Sequence, residues 1–162
     1  RRAVKGQEAA SSRFVLRSMN NDILTFLADH GTRPTTILQL AFGAMAAILF
    51  LQSGLDKVFN WKGEKDFLAG HFQKSILKGS VPLLLPVITL MEVTAGSLSA
   101  IGHILLHLGR GSGVGLLGML LGTVSLIMLF FGQRVAKDYA GAAALVPYFL
   151  MCAEGVHVFT LA

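Results

Sequence analysis

The chain has 162 residues, of which 53% are hydrophobic and only 14% are charged. Ordinary soluble domains carry about 25% charged residues, so this chain lacks the polar side chains that a water-facing surface requires. Its formal net charge is +5. The Lys and Arg residues flank apolar runs, however, and such flanking is typical of orientation in a membrane rather than of nucleic-acid binding. The composition therefore indicates an integral membrane protein without a separate soluble domain.

The first 33 residues form a basic leader, which we treat as a region of its own. Its apolar side chains recur on one helical face: Leu16, Met19, Ile23 and Phe26/Leu27. This spacing predicts an amphipathic helix that lies in the membrane interface. The alternative is a targeting remnant, because the leader is rich in Arg and Ser, although no apolar signal core follows it.

Four apolar runs follow, each long enough to cross a hydrocarbon core about 30 Å thick. They cover approximately residues 35–55, 82–108, 114–131 and 140–161. The sequence thus predicts an all-α fold, in which residues 34–162 form a transmembrane four-helix bundle behind the interfacial leader helix. The Lys and Arg residues close to the helix ends favour a cytoplasmic position for the first and third loops.

The first loop itself carries a helical pattern. Its apolar pairs are Phe67/Leu68, His71/Phe72 and Ser75/Ile76. They lie between lysines, so we expect a second helix in the membrane interface.

Small residues follow one face of the third apolar run. They are Gly111, Gly115, Gly118, Gly122 and Ser125. Membrane helices approach closely where side chains are small, so this face is predicted to pack inside the bundle. A dimer interface is the alternative, but three other helices are available within the chain.

Glu92 is the most informative single residue, because it falls roughly 15 Å into the second run when counted from Pro82. A carboxylate at that depth is costly unless it is paired, so it should face the bundle interior. Gly96, Ser99 and His103 share its helical face.

A polar pocket is one interpretation of the ionisable residues. Glu154 and His157 are adjacent on the fourth run, and their depths are compatible with Glu92 and with Gln39 on the first. The functional hypothesis is a proton-exchange or quinone site formed by Glu92, Glu154, His157 and Gln39. The alternative is polar cross-linking between helices. No metal site is expected, because a di-iron motif would need further Glu and His residues.

These positions together resemble the DoxX-like family of four-helix membrane proteins over roughly residues 38–160. The matching stretches are the one around Gly54, Asp56 and Lys57, then Glu92 with Gly96, Arg134 to Tyr139 with Gly141, and Val146 to Tyr148. The resemblance implies a compact bundle associated with membrane redox systems, such as quinone-coupled thiosulfate oxidation or terminal oxidases.

Three functions remain open at this point. We favour an accessory, non-catalytic subunit of a respiratory or quinone-linked complex, whose partners are lipids and other membrane subunits. The alternatives are a quinone-binding oxidoreductase subunit and a small transporter. No intrinsic cofactor is expected apart from a bound quinone or lipids. The bacterial inner membrane is the favoured location, with the mitochondrial inner membrane as the alternative.

Overall fold

The computed structural model describes residues 11–12, 14–15, 17–23, 25–26 and 33–161. Residues 33–161 form five helices joined by short turns, and no strand occurs among the described residues. The helices are α1 (Pro34–Phe59), α2 (Trp61–His71), α3 (Val81–His107), α4 (Gly113–Val135) and α5 (Tyr139–Thr160).

Four of these helices, α1, α3, α4 and α5, are long and apolar enough to cross a bilayer. The predicted all-α class and the four apolar spans are confirmed. The predicted ends are less accurate, because α1 continues four residues beyond Leu55 and α4 continues four residues beyond Phe131. Charged and polar residues such as Lys57 and Arg134 therefore belong to the helices rather than to the loops. Hydropathy marks where lipid contact ends, whereas the helical hydrogen bonds continue into the interface.

The glycine face of α4 lies inside the bundle, as its spacing predicts. Gly115, Gly118 and Gly122 are all buried. A Cβ atom on Gly118 would lie 2.6 Å from the backbone nitrogen of Ser99 in α3. On Gly122 a Cβ would collide with the ring of Phe50 in α1. The face therefore lets α4 approach its neighbours at backbone distance.

Gly111 does not belong to this face and corrects the prediction. It is exposed, and it precedes the first residue of α4 by two positions. Its φ of +98° places it in the left-handed region, which glycine adopts at little cost. Its spacing of four residues from Gly115 predicts a position on the helical face, but Gly111 lies in the turn before the helix.

Helix α2 confirms the predicted helix in the first loop, but it is shorter than the pattern indicates. It ends at His71, and residues 72–80 form turns instead. Ser75 and Ile76 are therefore outside the helix. The Ser75 hydroxyl donates to the Phe72 carbonyl oxygen at 3.0 Å and accepts from the Leu77 amide at 3.1 Å. These local bonds stabilise a turn where the apolar spacing would permit another helical turn.

The chain divides into two compact units, residues 1–37 and 38–162. The first unit contains the leader together with the first four residues of α1. Within the leader, the described residues between 11 and 26 are helical and exposed. Met19, Ile23 and Phe26 are among them, and more than half of each of these side chains is exposed. Leu16 and Leu27, which the amphipathic pattern also uses, lie outside the described residues.

The close helix approach at Gly118 can be tested by adding one methyl group. We expect Gly118→Ala to destabilise the bundle by about 1–3 kcal/mol, because the new Cβ meets the rigid backbone of α3. Gly113→Ala is the matched control, since nothing lies within 4 Å of a Cβ at that position of the same helix. Thermal unfolding in detergent measures both, and equal stability of the two variants would contradict the packing described here.

Candidate functional site

Glu92 faces the interior of the bundle, as the cost of a membrane carboxylate predicts. Its side chain is only 1% exposed. Ala95, Gly96 and Ser99 are buried with it on the same face of α3. This face meets α1, so the carboxylate lies between two membrane-spanning helices.

The partner of Glu92 is Lys57, near the end of α1. The Lys57 ammonium nitrogen lies 2.9 Å from Glu92 Oε2, and only 14% of the Lys57 side chain is exposed. The same ammonium donates to the hydroxyl and the carbonyl oxygen of Ser53, at 2.8 and 3.2 Å. Ser53 in turn donates its hydroxyl proton to Glu92 Oε1 at 3.0 Å. The three side chains form a closed network in which the two opposite charges neutralise each other.

Two glycines permit this network. A Cβ on Gly54 would lie 2.7 Å from a methyl carbon of Val93 and 3.3 Å from Cβ of Glu92. A Cβ on Gly96 would lie 2.6 Å from the backbone nitrogen of Leu51. Helices α1 and α3 are therefore in direct backbone contact at the level of Glu92 and one turn further along, which brings the flexible Lys57 stem within reach of Glu92.

Sequence reasoning did not find this pair. Asp56, the acidic neighbour of Lys57 in the sequence, is exposed and does not belong to the network. The usable signal was the requirement for a cation near a buried carboxylate, combined with a lysine at the end of the preceding apolar run. The vertical offset between α1 and α3, which decides whether the two groups meet, is not visible in the sequence.

The other predicted pocket residues do not join Glu92. Glu154 and His157 are both exposed on α5. This helix instead turns Cys152, Gly155 and Phe159 inward, and two residues along a helix correspond to a rotation of about 200°. Since Glu154 follows Cys152 by two positions and His157 follows Gly155 by two, both point away from the core.

Gln39 is buried but belongs to a different contact. Its side-chain amide donates to the carbonyl oxygen of Val158 at 3.1 Å and so links α1 to α5. Nearby, His103 Nδ1 lies 3.0 Å from the Leu40 carbonyl oxygen and links α3 to α1. Both side chains therefore form hydrogen bonds to backbone carbonyls of neighbouring helices. This is polar cross-linking between helices, the alternative to a functional pocket.

The stretch from Arg134 to Gly141 comprises the end of α4, a three-residue turn and the start of α5. The Arg134 guanidinium carbon lies 4.6 Å from the centre of the Tyr139 ring. The Asp138 carboxylate accepts the Gly141 amide proton at 2.8 Å and caps the first turn of α5. A Cβ on Gly141 would lie 2.5 Å from the Asp138 Oδ2 atom. These residues therefore hold the turn together.

No grouping of three or more His, Cys, Asp or Glu side chains suitable for a metal ion occurs within the described part of the chain. No family model, curated protein or solved structure matches this sequence. The resemblance to the DoxX-like family therefore remains a prediction that depends on the residues named above.

The ion pair can be tested by removing one partner and then both. We expect Lys57→Met to destabilise the protein by about 3–5 kcal/mol, because it leaves Glu92 buried without a countercharge. Adding Glu92→Gln to that variant should recover most of the loss, since no buried charge then remains. Thermal unfolding of the solubilised protein measures both steps.

Lys62→Met is the control, because Lys62 is exposed in α2. It should leave stability nearly unchanged. A double variant less stable than Lys57→Met would show that Glu92 does not depend on Lys57.

Proposed function

We propose that this protein is an accessory, non-catalytic membrane subunit of DoxX-like type, held within a respiratory or quinone-linked redox complex of the bacterial inner membrane. The observation that carries this proposal is the outer surface of α5. There the side chains of Glu154 and His157 are exposed and form no hydrogen bond or ion pair with the described residues, although they lie on a helix long and apolar enough to cross the bilayer.

A lipid-facing carboxylate at this position is unfavourable. Glu154 lies six residues before the end of α5, roughly 9 Å from it. A carboxylate such as that of Asp at the centre of a membrane helix costs about 2.5–3.5 kcal/mol or more, and Glu154, which lies between the centre and the end of α5, bears part of this cost. A protein neighbour with hydrogen-bond donors or a cation removes this cost. Glu154 and His157 thus favour a chain that functions against another membrane subunit.

The surrounding surface is suited to such a neighbour. Leu150 on α5 and Leu161, the residue after its end, continue the exposed face of Glu154 and His157, and more than half of each leucine side chain is exposed. We call these four residues the outer stripe of α5. An apolar stripe with a few polar groups is how membrane helices recognise one another.

The interior supports a structural rather than a catalytic role. Glu92 is occupied by Lys57 and Ser53, and Gln39 by a backbone carbonyl. Proton exchange at Glu92 would require this closed network to open. Among the residues on which the family resemblance depends, Gly54 permits close helix packing, Lys57 forms the ion pair and Arg134 contacts the Tyr139 ring.

The proposal predicts that removing the polar groups of the outer stripe affects the association with other subunits but not the stability of the bundle. We expect Glu154→Ala with His157→Ala to remove the subunits that co-migrate with the wild-type protein after gentle solubilisation, because the polar contacts of the stripe are lost. The thermal stability of the isolated bundle should not decrease, since neither side chain has a partner within it. Native electrophoresis with mass spectrometry identifies the subunits, and unfolding in detergent reports stability.

Leu150→Ala is the matched control on the same stripe and should retain co-migration of the redox subunits. A wild-type protein that migrates alone, or only with copies of itself, would overturn the proposal. Quinone reduction by the isolated bundle would also overturn it.

A further inference from the structure

A cavity of about 180 Å³ lies beneath α2, between the turn that follows it, the start of α3 and the end of α4. We call it the α2 cavity. Its wall is mostly apolar and includes Leu68, Phe72, Ile88 and Leu129. Next to it, Phe72 packs with Val81 and Leu85 in a small buried cluster. The cavity is partly open, so it is a recess in the surface rather than a sealed void.

The relative heights of α1 and α3 create this recess. Gly54 meets Val93, and α1 ends five residues later, whereas α3 begins twelve residues before Val93. At about 1.5 Å per residue, the start of α3 extends roughly 10 Å beyond the end of α1. Helix α2 covers this extension without filling it, so the cavity is a consequence of the same helix contact that forms the ion pair.

The volume limits what can enter. An apolar cavity of about 150 Å³ is large enough to hold benzene. The α2 cavity therefore accommodates one six-membered ring or a short run of methylene groups. Any longer molecule would have to extend into the surroundings.

One edge of the cavity is polar. His71 Nε2 lies 2.8 Å from Gln133 Oε1, and both residues line the cavity. The His71 ring is fixed between Phe67 and Phe72, with ring centres 5.5 and 5.2 Å away. This contact occupies the amide oxygen of Gln133. The amide NH2 group of Gln133 makes no hydrogen bond with the described residues and remains available as a donor.

The cavity is not an anion site, because the cation at its wall is already paired. Lys57 also lines the wall, but its ammonium is neutralised by Glu92 and already donates to Ser53. An available neutral donor beside an apolar wall fits an uncharged acceptor, and a carbonyl oxygen is the common one among membrane amphiphiles.

We propose that the α2 cavity binds the carbonyl-bearing end of a membrane amphiphile, with the Gln133 amide donating to the carbonyl oxygen and the apolar wall holding the adjoining ring or chain. The carbonyl belongs either to a quinone ring or to the ester of a glycerolipid. This site is independent of the outer stripe of α5, so it can fail while the proposed function stands.

Three probes with equal tails test the proposal: a decyl-substituted benzoquinone, the decanoyl ester of glycerol, and decylbenzene, which has no oxygen or nitrogen acceptor. Each is titrated against the full-length protein in the same detergent, and affinity is taken from the upward shift of the unfolding midpoint. We expect at least one carbonyl probe to bind roughly three- to tenfold more tightly than decylbenzene, the difference typical of one hydrogen bond. The stronger carbonyl probe identifies the source of the carbonyl.

Two variants measure separately how the apolar wall and the Gln133 donor contribute to binding. Gly132→Leu should fill the cavity and abolish binding of all three probes, since a Cβ at this position already lies 3.4 Å from the Phe72 ring. Gly113→Leu, in the same helix with open space around it, is the matched control and should bind normally. Gln133→Glu keeps an oxygen for His71 but removes the donor, so it should remove the preference for carbonyl probes.

Equal affinity of decylbenzene and both carbonyl probes would overturn the proposal. Unchanged binding in Gly132→Leu would place the ligand elsewhere and would also overturn it. The Gln133→Glu result decides the matter even when Gly132→Leu does not fold.

Discussion

The ion pair between Lys57 and Glu92 is the constraint on which the arrangement of the bundle depends. A charged group inside a membrane is tolerated only when it is paired. Here the 2.9 Å contact, together with two hydrogen bonds through Ser53, fixes the end of α1 at one height on α3. Buried pairs of this kind contribute little net stability compared with apolar packing, but breaking one is expensive. The pair therefore specifies which helices meet and at what height.

Small residues allow the helices that the ion pair brings together to pack closely. Gly54 and Gly96 place α1 against the backbone of α3, while Gly118 and Gly122 bring α4 against α3 and α1. Because the height of α1 is fixed, the first turns of α3 extend beyond it. Helix α2 covers them, and the partly open cavity beneath α2 results. The ion pair, the glycine contacts and the cavity are thus connected features of one arrangement.

The sequence predicts the parts of this structure that follow from the free energy of placing a given residue type in the membrane. Four apolar runs give four spans, and the regular glycine spacing gives the inward face of α4. Because an unpaired carboxylate is unfavourable within the membrane, Glu92 is predicted in the interior of the bundle. Helix rotation is harder to predict, because both faces of a membrane helix are apolar and hydrophobic periodicity no longer distinguishes the core from the lipid side. Glu154 and His157 were therefore placed in the interior, whereas α5 turns Cys152 and Gly155 inward. The partner of Glu92 depends on the relative height of two helices, which no local pattern records.

The most direct test of this account is the protonation state of Glu92 in the resting protein. Infrared difference spectra between the wild type and Glu92→Gln, recorded in bilayers at neutral pH, report whether that side chain is a carboxylate or a neutral acid. Because Glu92 is ionised and paired with Lys57, we expect the variant to lose carboxylate bands and to show no loss in the protonated-carboxyl region. A protonated-carboxyl band present in the wild type and absent from Glu92→Gln would contradict it and would restore Glu92 as a proton-exchange site.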